Sequence, residues 1–182
     1  MPRIIAGSFR GRRLAAPAQS TRPTSDRVRE AIGSMLGSRT DIAGARVLDL
    51  YAGTGALALE ALSRGAGHAV LVESDRKAAA VARENIATCG AGDRARLVQR
   101  TVESFLAAPS ASFDLVFLDP PYAVGADAVT DVLAALPAHL APEAWVVLER
   151  GSRDPEPQWP DALEVVAGKA YGDTVITLAQ AT

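Results

Sequence analysis

Apolar residues follow a helical period in one part of the chain. Within residues 24–37, Val28, Ile32, Met35 and Leu36 recur at intervals of three and four, so they share one face of a helix. Polar residues suited to capping precede them, and a glycine follows them. The pattern predicts a first, amphipathic helix that packs on a core with one face only.

Farther along the chain, short continuous apolar runs replace this spacing. Such runs are typical of strands buried on both faces. The segments between them have helical character, at about 56–64, 75–88 and 102–108 and around 129–136. Strands that alternate with helices favour a parallel sheet covered by helices on both faces. The five predicted strands are 47–50, 69–73, 97–98, 115–118 and 145–149.

The last part of the chain predicts an antiparallel pair of strands. Three prolines make the loop 151–161 unsuitable for a helix. Two further apolar runs, 163–170 and 174–179, flank Gly172 and Asp173, a pair that favours a hairpin turn. The predicted fold is therefore α/β: a Rossmann-like, seven-stranded, mostly parallel sheet that ends in a C-terminal antiparallel hairpin.

The first 40 residues are basic and the rest of the chain is acidic. They hold eight arginines and two acidic residues, a net charge of +6, whereas the remainder carries −8 and the whole chain −2. A basic segment on an acidic body favours one surface for a polyanion. Residues 1–20 are predicted to form a small basic β-hairpin extension, and residues 21–182 the main domain. The candidate polyanion contacts are Arg10, Arg12, Arg13, Arg22, Arg27 and Arg29.

Composition narrows the classes of function. A chain of 182 residues is about one domain. No apolar run approaches the ~20 residues of a transmembrane helix, and the first residues lack the apolar stretch of a signal peptide. One cysteine, Cys89, excludes an internal disulfide and a cysteine-cluster metal site. We expect a cytoplasmic protein with no membrane partner and no metal.

A glycine-rich segment follows the first predicted strand and opens the next helix. Gly53 and Gly55 let the backbone approach a ligand closely, and their spacing to Ala58 fits a dinucleotide-binding fingerprint. Glu73 ends the second strand, where its carboxylate can accept hydrogen bonds from ribose hydroxyls. Asp49 precedes the turn and is placed either to bind loop amides or to meet an amino-acid group of the ligand. The segment predicts an adenosine-containing cofactor, and the glycines alone do not say which.

A second candidate site follows the fourth strand, at Asp119-Pro120-Pro121-Tyr122. The two prolines fix the backbone and remove two N–H donors, which leaves carbonyl acceptors free. Asp119 adds a carboxylate and Tyr122 a flat aromatic face. These acceptors and the aromatic face together suit a planar base with an exocyclic amine. If the amine donates both of its hydrogens to the acceptors, the lone pair of its nitrogen can point at an electrophile.

Together the two segments resemble the class I S-adenosylmethionine-dependent methyltransferases, in the amino-methylating branch that carries this tetrad. The resemblance extends over nearly the whole chain to the bacterial small-subunit rRNA guanine-N2 methyltransferase D family. It rests on motifs in a fixed order: 3–11, Arg22-Pro23-Thr24 with Val28-Arg29-Glu30, 49–55, 61–66, 119–122 and Tyr171-Gly172-Asp173-Thr174.

The resemblance implies a role for each part of the site. Asp49, Gly53 and Gly55 are expected at the methionine end of S-adenosylmethionine and Glu73 at its ribose. Thr101 and Val102 are expected at its adenine, although many relatives have Asp or Asn where Thr101 stands. Asp119 and the Pro120 carbonyl are expected to hold the guanine amine, with Tyr122 stacked on the base. The implied substrate is a guanine of 16S rRNA in a small-subunit particle, bound by a monomer through its basic opening.

Three other functions fit parts of the sequence. The tetrad also occurs in adenine-N6 methyltransferases of DNA or RNA, although the DNA enzymes usually carry a separate target-recognition domain. The glycine turn is shared with nicotinamide-dependent dehydrogenases, which need a second domain and a hydride-transfer site. A catalytically inactive RNA-binding module would explain the basic segment but not the intact tetrad.

Overall fold

The computed structural model describes residues 1–17, 25–109 and 111–182, and Arg22 lies outside them. Seven strands form one sheet in the order β3-β2-β1-β4-β5-β7-β6. The strands are β1 (Arg46–Leu50), β2 (His68–Val72), β3 (Ala95–Val98), β4 (Phe113–Leu118), β5 (Leu140–Gly151), β6 (Leu163–Tyr171) and β7 (Thr174–Ala181). The helices are α1 (Asp26–Gly37), α2 (Ala56–Ser63), α3 (Arg76–Thr88), α4 (Val102–Ala107) and α5 (Ala126–Ala135), and a short 3₁₀ turn spans Leu136–His139.

The strand directions confirm the predicted α/β fold. β1 pairs in parallel with β2 and β4, β2 with β3, and β4 with β5. β7 pairs antiparallel with β5 and β6, so the last two strands form the expected hairpin at one end of the sheet. None of the helices in the described ranges combines the length and apolar character needed to cross a membrane.

Alternating side chains of the central strands build two separate cores. In β4, Leu115 and Phe117 pack on one face, whereas Val116 and Leu118 pack on the other, as the period of two in a strand requires. α1, α2 and α3 cover the first face, and α4 and α5 cover the second. Burial on both faces explains why these strands read as continuous apolar runs in the sequence.

The helix predicted first in the chain is present, but other elements differ from their predicted bounds. Ser25 caps α1 by accepting a hydrogen bond from the Val28 N–H, and the helix ends at Gly37. β5 begins at Leu140, five residues before the predicted strand, because Phe113 pairs with Leu140 across an irregularity in the sheet. His139, at the end of the 3₁₀ turn, is buried, with its Nε2 3.0 Å from the Leu106 carbonyl.

The N-terminal segment, residues 1–17, packs against the main core. Its two arms pair antiparallel at Arg3 and Arg13 and exchange backbone hydrogen bonds on either side of this bridge. Ile4, Phe9 and Leu14 are buried in the same core as α1 and α2. Gly7 has a φ of +85°, and a Cβ there would lie 1.8 Å from the Ser63 carbonyl oxygen. Only glycine permits this close approach to the end of α2.

One buried carboxylate fastens this segment to two helices. Glu60 of α2 accepts hydrogen bonds from the backbone N–H groups of Ile5 and Ala6, at 3.0–3.2 Å. It also accepts from the guanidinium groups of Arg29 and Arg64, at 3.3 and 3.2 Å. Glu60 therefore offsets two cations and satisfies two backbone donors at the junction of the N-terminal segment, α1 and α2.

The position of Arg29 corrects the expectation that it contacts a polyanion. Its side chain is fully buried and is ion-paired with Glu60 and Asp26. The helical period puts Arg29 next to Val28 on the inner side of α1, and the carboxylates there neutralise its charge. Its guanidinium therefore cannot reach a phosphate group at the surface.

We predict that Glu60→Ala lowers the free energy of unfolding by about 3 kcal/mol or more, because it leaves the Arg29 cation buried with one partner fewer. Denaturant unfolding followed by circular dichroism measures this change. Glu30→Ala removes an exposed carboxylate from α1 and is the matched control, expected within about 0.5 kcal/mol of the wild type. Equal stability of the two variants would show that Glu60 does not hold the junction.

Candidate active site

The candidate site lies at the carboxyl edge of the parallel strands. A cleft of about 660 Å³ opens there, lined by residues that follow β1, β2, β4 and β5 and by the start of α4. β1 and β4 are neighbours in the sheet, but α2 after β1 covers one face and α5 after β4 covers the other. The chain therefore leaves these two neighbouring strands towards opposite faces of the sheet. The cleft at such a position is the usual ligand site of open α/β sheets.

The glycine loop, residues 51–55, forms one wall of the cleft. Gly53 and Gly55 have φ values of +56° and +81°, which favour glycine. A Cβ at Gly55 would lie 2.9 Å from the Leu71 side chain, whereas one at Gly53 would meet no atom within 4 Å. Gly55 thus allows the tight turn into α2, and Gly53 keeps backbone open towards the cleft.

Three polar side chains hold this loop. Glu73 Oε1 accepts a hydrogen bond from the Gly53 N–H at 2.9 Å. Asn85 Nδ2 donates one to the Thr54 carbonyl at 2.9 Å. Asp49 Oδ2 accepts one from the Ala58 N–H, at 3.1 Å, in the first turn of α2. The glycine loop is thus fixed from β2, from α3 and from β1.

Asp49 is a buried carboxylate with one free acceptor. No described residue donates a hydrogen bond to its Oδ1 atom. Burial raises the pKa of Asp49 well above its ordinary value of 3.8, and the carboxylates of Asp119 and Glu73 raise it further, while the bond from Ala58 opposes them. A buried carboxylate has lost its favourable interactions with water. A nearby cation stabilises the ionised form and so replaces those interactions.

The Asp-Pro-Pro-Tyr segment, residues 119–122 and called the amine tetrad below, lines the same cleft as the glycine loop. Pro120 is buried, Asp119 is half-buried and Tyr122 is 66% exposed. No described residue donates a hydrogen bond to the Pro120 carbonyl. The Pro121 carbonyl, by contrast, accepts from the Val124 N–H at 2.9 Å and closes the turn. One backbone acceptor, one carboxylate and one exposed ring therefore border the same space.

Arg150 ties the tetrad to the end of β5 and was not among the residues singled out from the sequence. Its Nη1 atom donates to the Val124 carbonyl at 3.0 Å, and its Nε lies 3.7 Å from Asp154 Oδ2. Asp154 in turn accepts from the Gly151 N–H at 2.8 Å. Nothing in the local sequence pattern distinguishes this arginine from a solvated one at a strand end.

Thr101 and Val102 lie at the start of α4 and line the cleft beside Glu103. Thr101 is the N-cap, and its Oγ1 accepts a hydrogen bond from the Ser104 N–H at 3.1 Å. Val102 is buried. The hydroxyl group therefore has a capping role already, and the apolar side of Val102 offers a surface suited to a flat ring.

The basic candidates separate into different environments. Arg10, Arg13 and Arg27 are exposed. Arg12 is also exposed, but it donates to the Cys89 carbonyl at the end of α3 and lies over the Phe9 ring, 5.0 Å from its centre. Arg12 thus helps to dock the N-terminal segment, whereas the other three guanidinium groups remain at the surface.

The charge of the cleft bears on which cofactor fits. Two cations, Lys77 and Arg150, line it among the described residues. The carboxylates in the lining are Glu73, Asp75, Glu103, Asp119, Glu149 and Asp154. This excess of negative charge opposes the pyrophosphate of a dinucleotide and favours a ligand with a sulfonium and an ammonium group. Asp49 is buried just outside this lining and adds to the negative charge, so the residues present fit the cationic S-adenosylmethionine.

Comparison with known proteins agrees with this geometry. A family model described as Conserved hypothetical protein 95 matches residues 2–180. The chain is 39% identical over 179 residues to the ribosomal RNA small subunit methyltransferase D of Escherichia coli, covering 98% of this chain and 89% of that protein. The chain belongs to the small-subunit rRNA methyltransferase D family.

Two further similarities place this family member among methyltransferases. The solved structure of the Escherichia coli protein yhhF has a TM-score of 0.86 and 36% identity, over 98% of this chain and 97% of that one. A tRNA1(Val) (adenine(37)-N6)-methyltransferase of Aeromonas hydrophila is 33% identical over 110 residues, 59% of this chain and 45% of that protein. The chain is a methyltransferase.

We predict that this family member binds S-adenosylhomocysteine less tightly as the pH falls through the raised pKa of Asp49. Only the ionised carboxylate attracts the ammonium group, so below that pKa the affinity should fall about tenfold per pH unit. Calorimetry across pH 4.5–8 measures the trend. Asp49→Asn should bind about tenfold or more weakly at neutral pH and should lose most of the pH dependence. An equally steep trend in that variant would assign the proton to another group.

Proposed function

We propose that the protein transfers a methyl group from S-adenosylmethionine to the exocyclic N2 amine of a guanine in 16S rRNA. The observation that carries this proposal is that the amine tetrad and the glycine loop line one cleft. A protein that only binds RNA would not need both the glycine loop and the amine tetrad in one cleft. The name of the Escherichia coli relative supports ribosomal RNA of the small subunit as the substrate.

The glycine loop and the residues that hold it form the proposed cofactor half of the site. The Gly53 backbone would meet the methionine end, and the buried Asp49 carboxylate would attract its ammonium group from just outside the cleft lining. Glu73 would accept from the ribose hydroxyls with the lone pairs left by its bonds to Gly53 and Asp75. Val102 would contact the adenine. When bound, the cofactor supplies an electrophilic methyl group.

The amine tetrad supports a methyl acceptor with an aromatic amine. The lone pair of such a nitrogen is delocalised into the ring, so the nitrogen is a poor nucleophile. Asp119 and the Pro120 carbonyl can each accept one amine hydrogen, which favours a pyramidal nitrogen with its lone pair directed across the cleft. Tyr122, exposed at the rim, can stack on the base. The tetrad therefore acts by positioning and by electrostatics.

A base in this cleft has to leave its stack, because its amine must reach the half-buried Asp119 and the buried Pro120 inside the cleft. Free rRNA seldom displays one guanine in that way. We therefore propose that the substrate is a loop guanine of rRNA within a small-subunit particle, reached by a single copy of the protein. Arg10, Arg13 and Arg27 would contact neighbouring phosphates, which orient RNA but carry little sequence information.

The direct test is nucleoside mass spectrometry after incubation with S-adenosylmethionine and small subunits from a strain without this activity. We expect N2-methylguanosine from the particles and little from naked 16S rRNA. N6-methyladenosine instead would assign the adenine alternative. Faster methylation of naked RNA would contradict the role of the particle.

In the same assay, Asp119→Asn should lower kcat by about a hundredfold or more while cofactor affinity stays within a few-fold, because one acceptor for the amine becomes a mixed donor and acceptor. Asp127→Asn, in the first turn of α5, is the matched control, since Asp127 is exposed and outside the cleft lining. Near-normal turnover of the Asp119 variant would show that the tetrad is only a turn.

We predict that replacing Arg10, Arg13 and Arg27 with glutamine weakens binding to the particle and reduces its salt dependence. Each lost phosphate contact lowers the slope by roughly 0.7–0.9, so the triple variant should lose about two units. Affinity for S-adenosylhomocysteine should not change. Replacing the exposed Arg83, Arg96 and Arg100 with glutamine removes the same three charges from another part of the surface and is the control for net charge. An unaltered slope in the triple variant would remove the basic segment from the RNA site.

A further inference from the structure

Asn85 of α3 is completely buried, and its amide is fully engaged. Its Oδ1 atom accepts a hydrogen bond from the Ala15 N–H at 2.7 Å. Its Nδ2 atom donates one bond to the Ala15 carbonyl at 3.1 Å and a second to the Thr54 carbonyl at 2.9 Å. One side chain thus joins the N-terminal segment and the glycine loop.

The surroundings of Asn85 show that it is not a filler of the core. The other residues on the buried face of α3 are apolar: Ala79, Ala82 and Ile86. A buried amide is costly unless its hydrogen bonds are made, and an apolar side chain would leave the Ala15 N–H and the Thr54 carbonyl with one partner fewer. The amide of Asn85 therefore satisfies the backbone hydrogen-bonding groups of Ala15 and Thr54, which an apolar side chain could not do.

Both of these backbones border the cleft. Thr54 lies between Gly53 and Gly55 and belongs to the cleft lining. Ala15 lies close to the end of the described N-terminal segment, and Pro2 and Pro17 of that segment also line the cleft. The N-terminal segment is therefore part of the wall of the proposed cofactor site, and its contact with the glycine loop passes through Asn85.

We propose that Asn85 is a positioning residue for cofactor binding, which sets the glycine loop through Thr54 and uses the N-terminal segment as its second anchor. This inference rests on the proposed use of S-adenosylmethionine. Glu73 accepts a hydrogen bond from the Gly53 N–H, and Asn85 donates one to the carbonyl of the next residue, Thr54. These two bonds keep the loop in its open shape before a ligand binds. Loss of Asn85 lowers affinity because binding must then order the loop.

The other anchors of the N-terminal segment provide a control that separates this role from general stability. Ser63 accepts a hydrogen bond from the Phe9 N–H at 2.9 Å, and its hydroxyl also bonds the Ala6 carbonyl. Ser63 is not among the residues that line the cleft, and the structure records no hydrogen bond from it to the glycine loop. Its loss should loosen the same segment and leave the loop in place.

The experiment compares Asn85→Ala, Asn85→Asp and Ser63→Ala with the wild type. Calorimetry with S-adenosylhomocysteine gives the affinity, thermal unfolding gives the stability, and hydrogen exchange follows the amides of residues 53–55. We expect both Asn85 variants to bind about tenfold more weakly and to exchange faster in the loop. Ser63→Ala should unfold at a lower temperature, keep the wild-type exchange at residues 53–55 and lose clearly less affinity than the Asn85 variants. Asn85→Asp retains the shape and the acceptor for Ala15, and its titration at pH 6 and at pH 8 separates the protonated acid, which can still donate to the Thr54 carbonyl, from the carboxylate, which cannot.

Unchanged affinity in Asn85→Asp, or an equal loss in Ser63→Ala, would overturn the role of Asn85. These results differ from a failure of the proposed function, in which the wild type itself would not bind S-adenosylhomocysteine. Glu84→Ala, an exposed neighbour in α3, should match the wild type in every measurement.

Discussion

The site depends on one constraint: the chain must turn from the buried strand β1 into α2 while it keeps its backbone open to a cleft. Two glycines with positive φ make this turn possible, and the side chain of Leu71 leaves no room for a Cβ at Gly55. Ala52 of the loop is buried in one core, and Tyr51 packs against the other. The Gly53 N–H donates to Glu73, the Thr54 carbonyl accepts from Asn85, and Asp49 accepts from Ala58 in the first turn of α2, so side chains of three different elements fix the turn.

The same arrangement concentrates negative charge where the reaction is proposed to occur. Asp49, Glu73 and Asp119 lie close enough for the latter two to raise the pKa of the first. Such a site is unfavourable when it is empty and favourable for a cationic ligand. We propose that the carboxylates that fix this turn also select a cationic cofactor, so that local structure and binding preference have one physical origin.

Much of the fold could be predicted from the sequence, because strands buried on two faces read as apolar runs and helices that pack on one side keep a period of 3.6. The full length of β5 was not predictable, since Ala141–Ala144 contains a proline and an exposed glutamate and pairs only through an irregularity of the sheet. The buried state of His139 depends on a contact with the Leu106 carbonyl, which no local pattern records.

Some residues of the candidate site could also be predicted from the sequence, and others could not. Asp49, Glu73 and Asp119 stand at strand ends, so their positions in the sequence already place them at one edge of the sheet. Arg29 was misjudged because its partner Glu60 is 31 residues away, and a single arginine looks the same whether it is solvated or paired. Asn85 is a polar residue on an apolar helix face, a signal that is visible in the sequence but does not name its partners.

The most direct measurement of the central claim is a parallel calorimetric titration of the wild-type protein with S-adenosylhomocysteine and with NAD. A glycine loop held by carboxylates in an acidic cleft predicts one binding site for S-adenosylhomocysteine and no detectable binding of the anionic dinucleotide. Tight binding of NAD without binding of S-adenosylhomocysteine would contradict the assignment of the cleft and, with it, the function proposed for this protein.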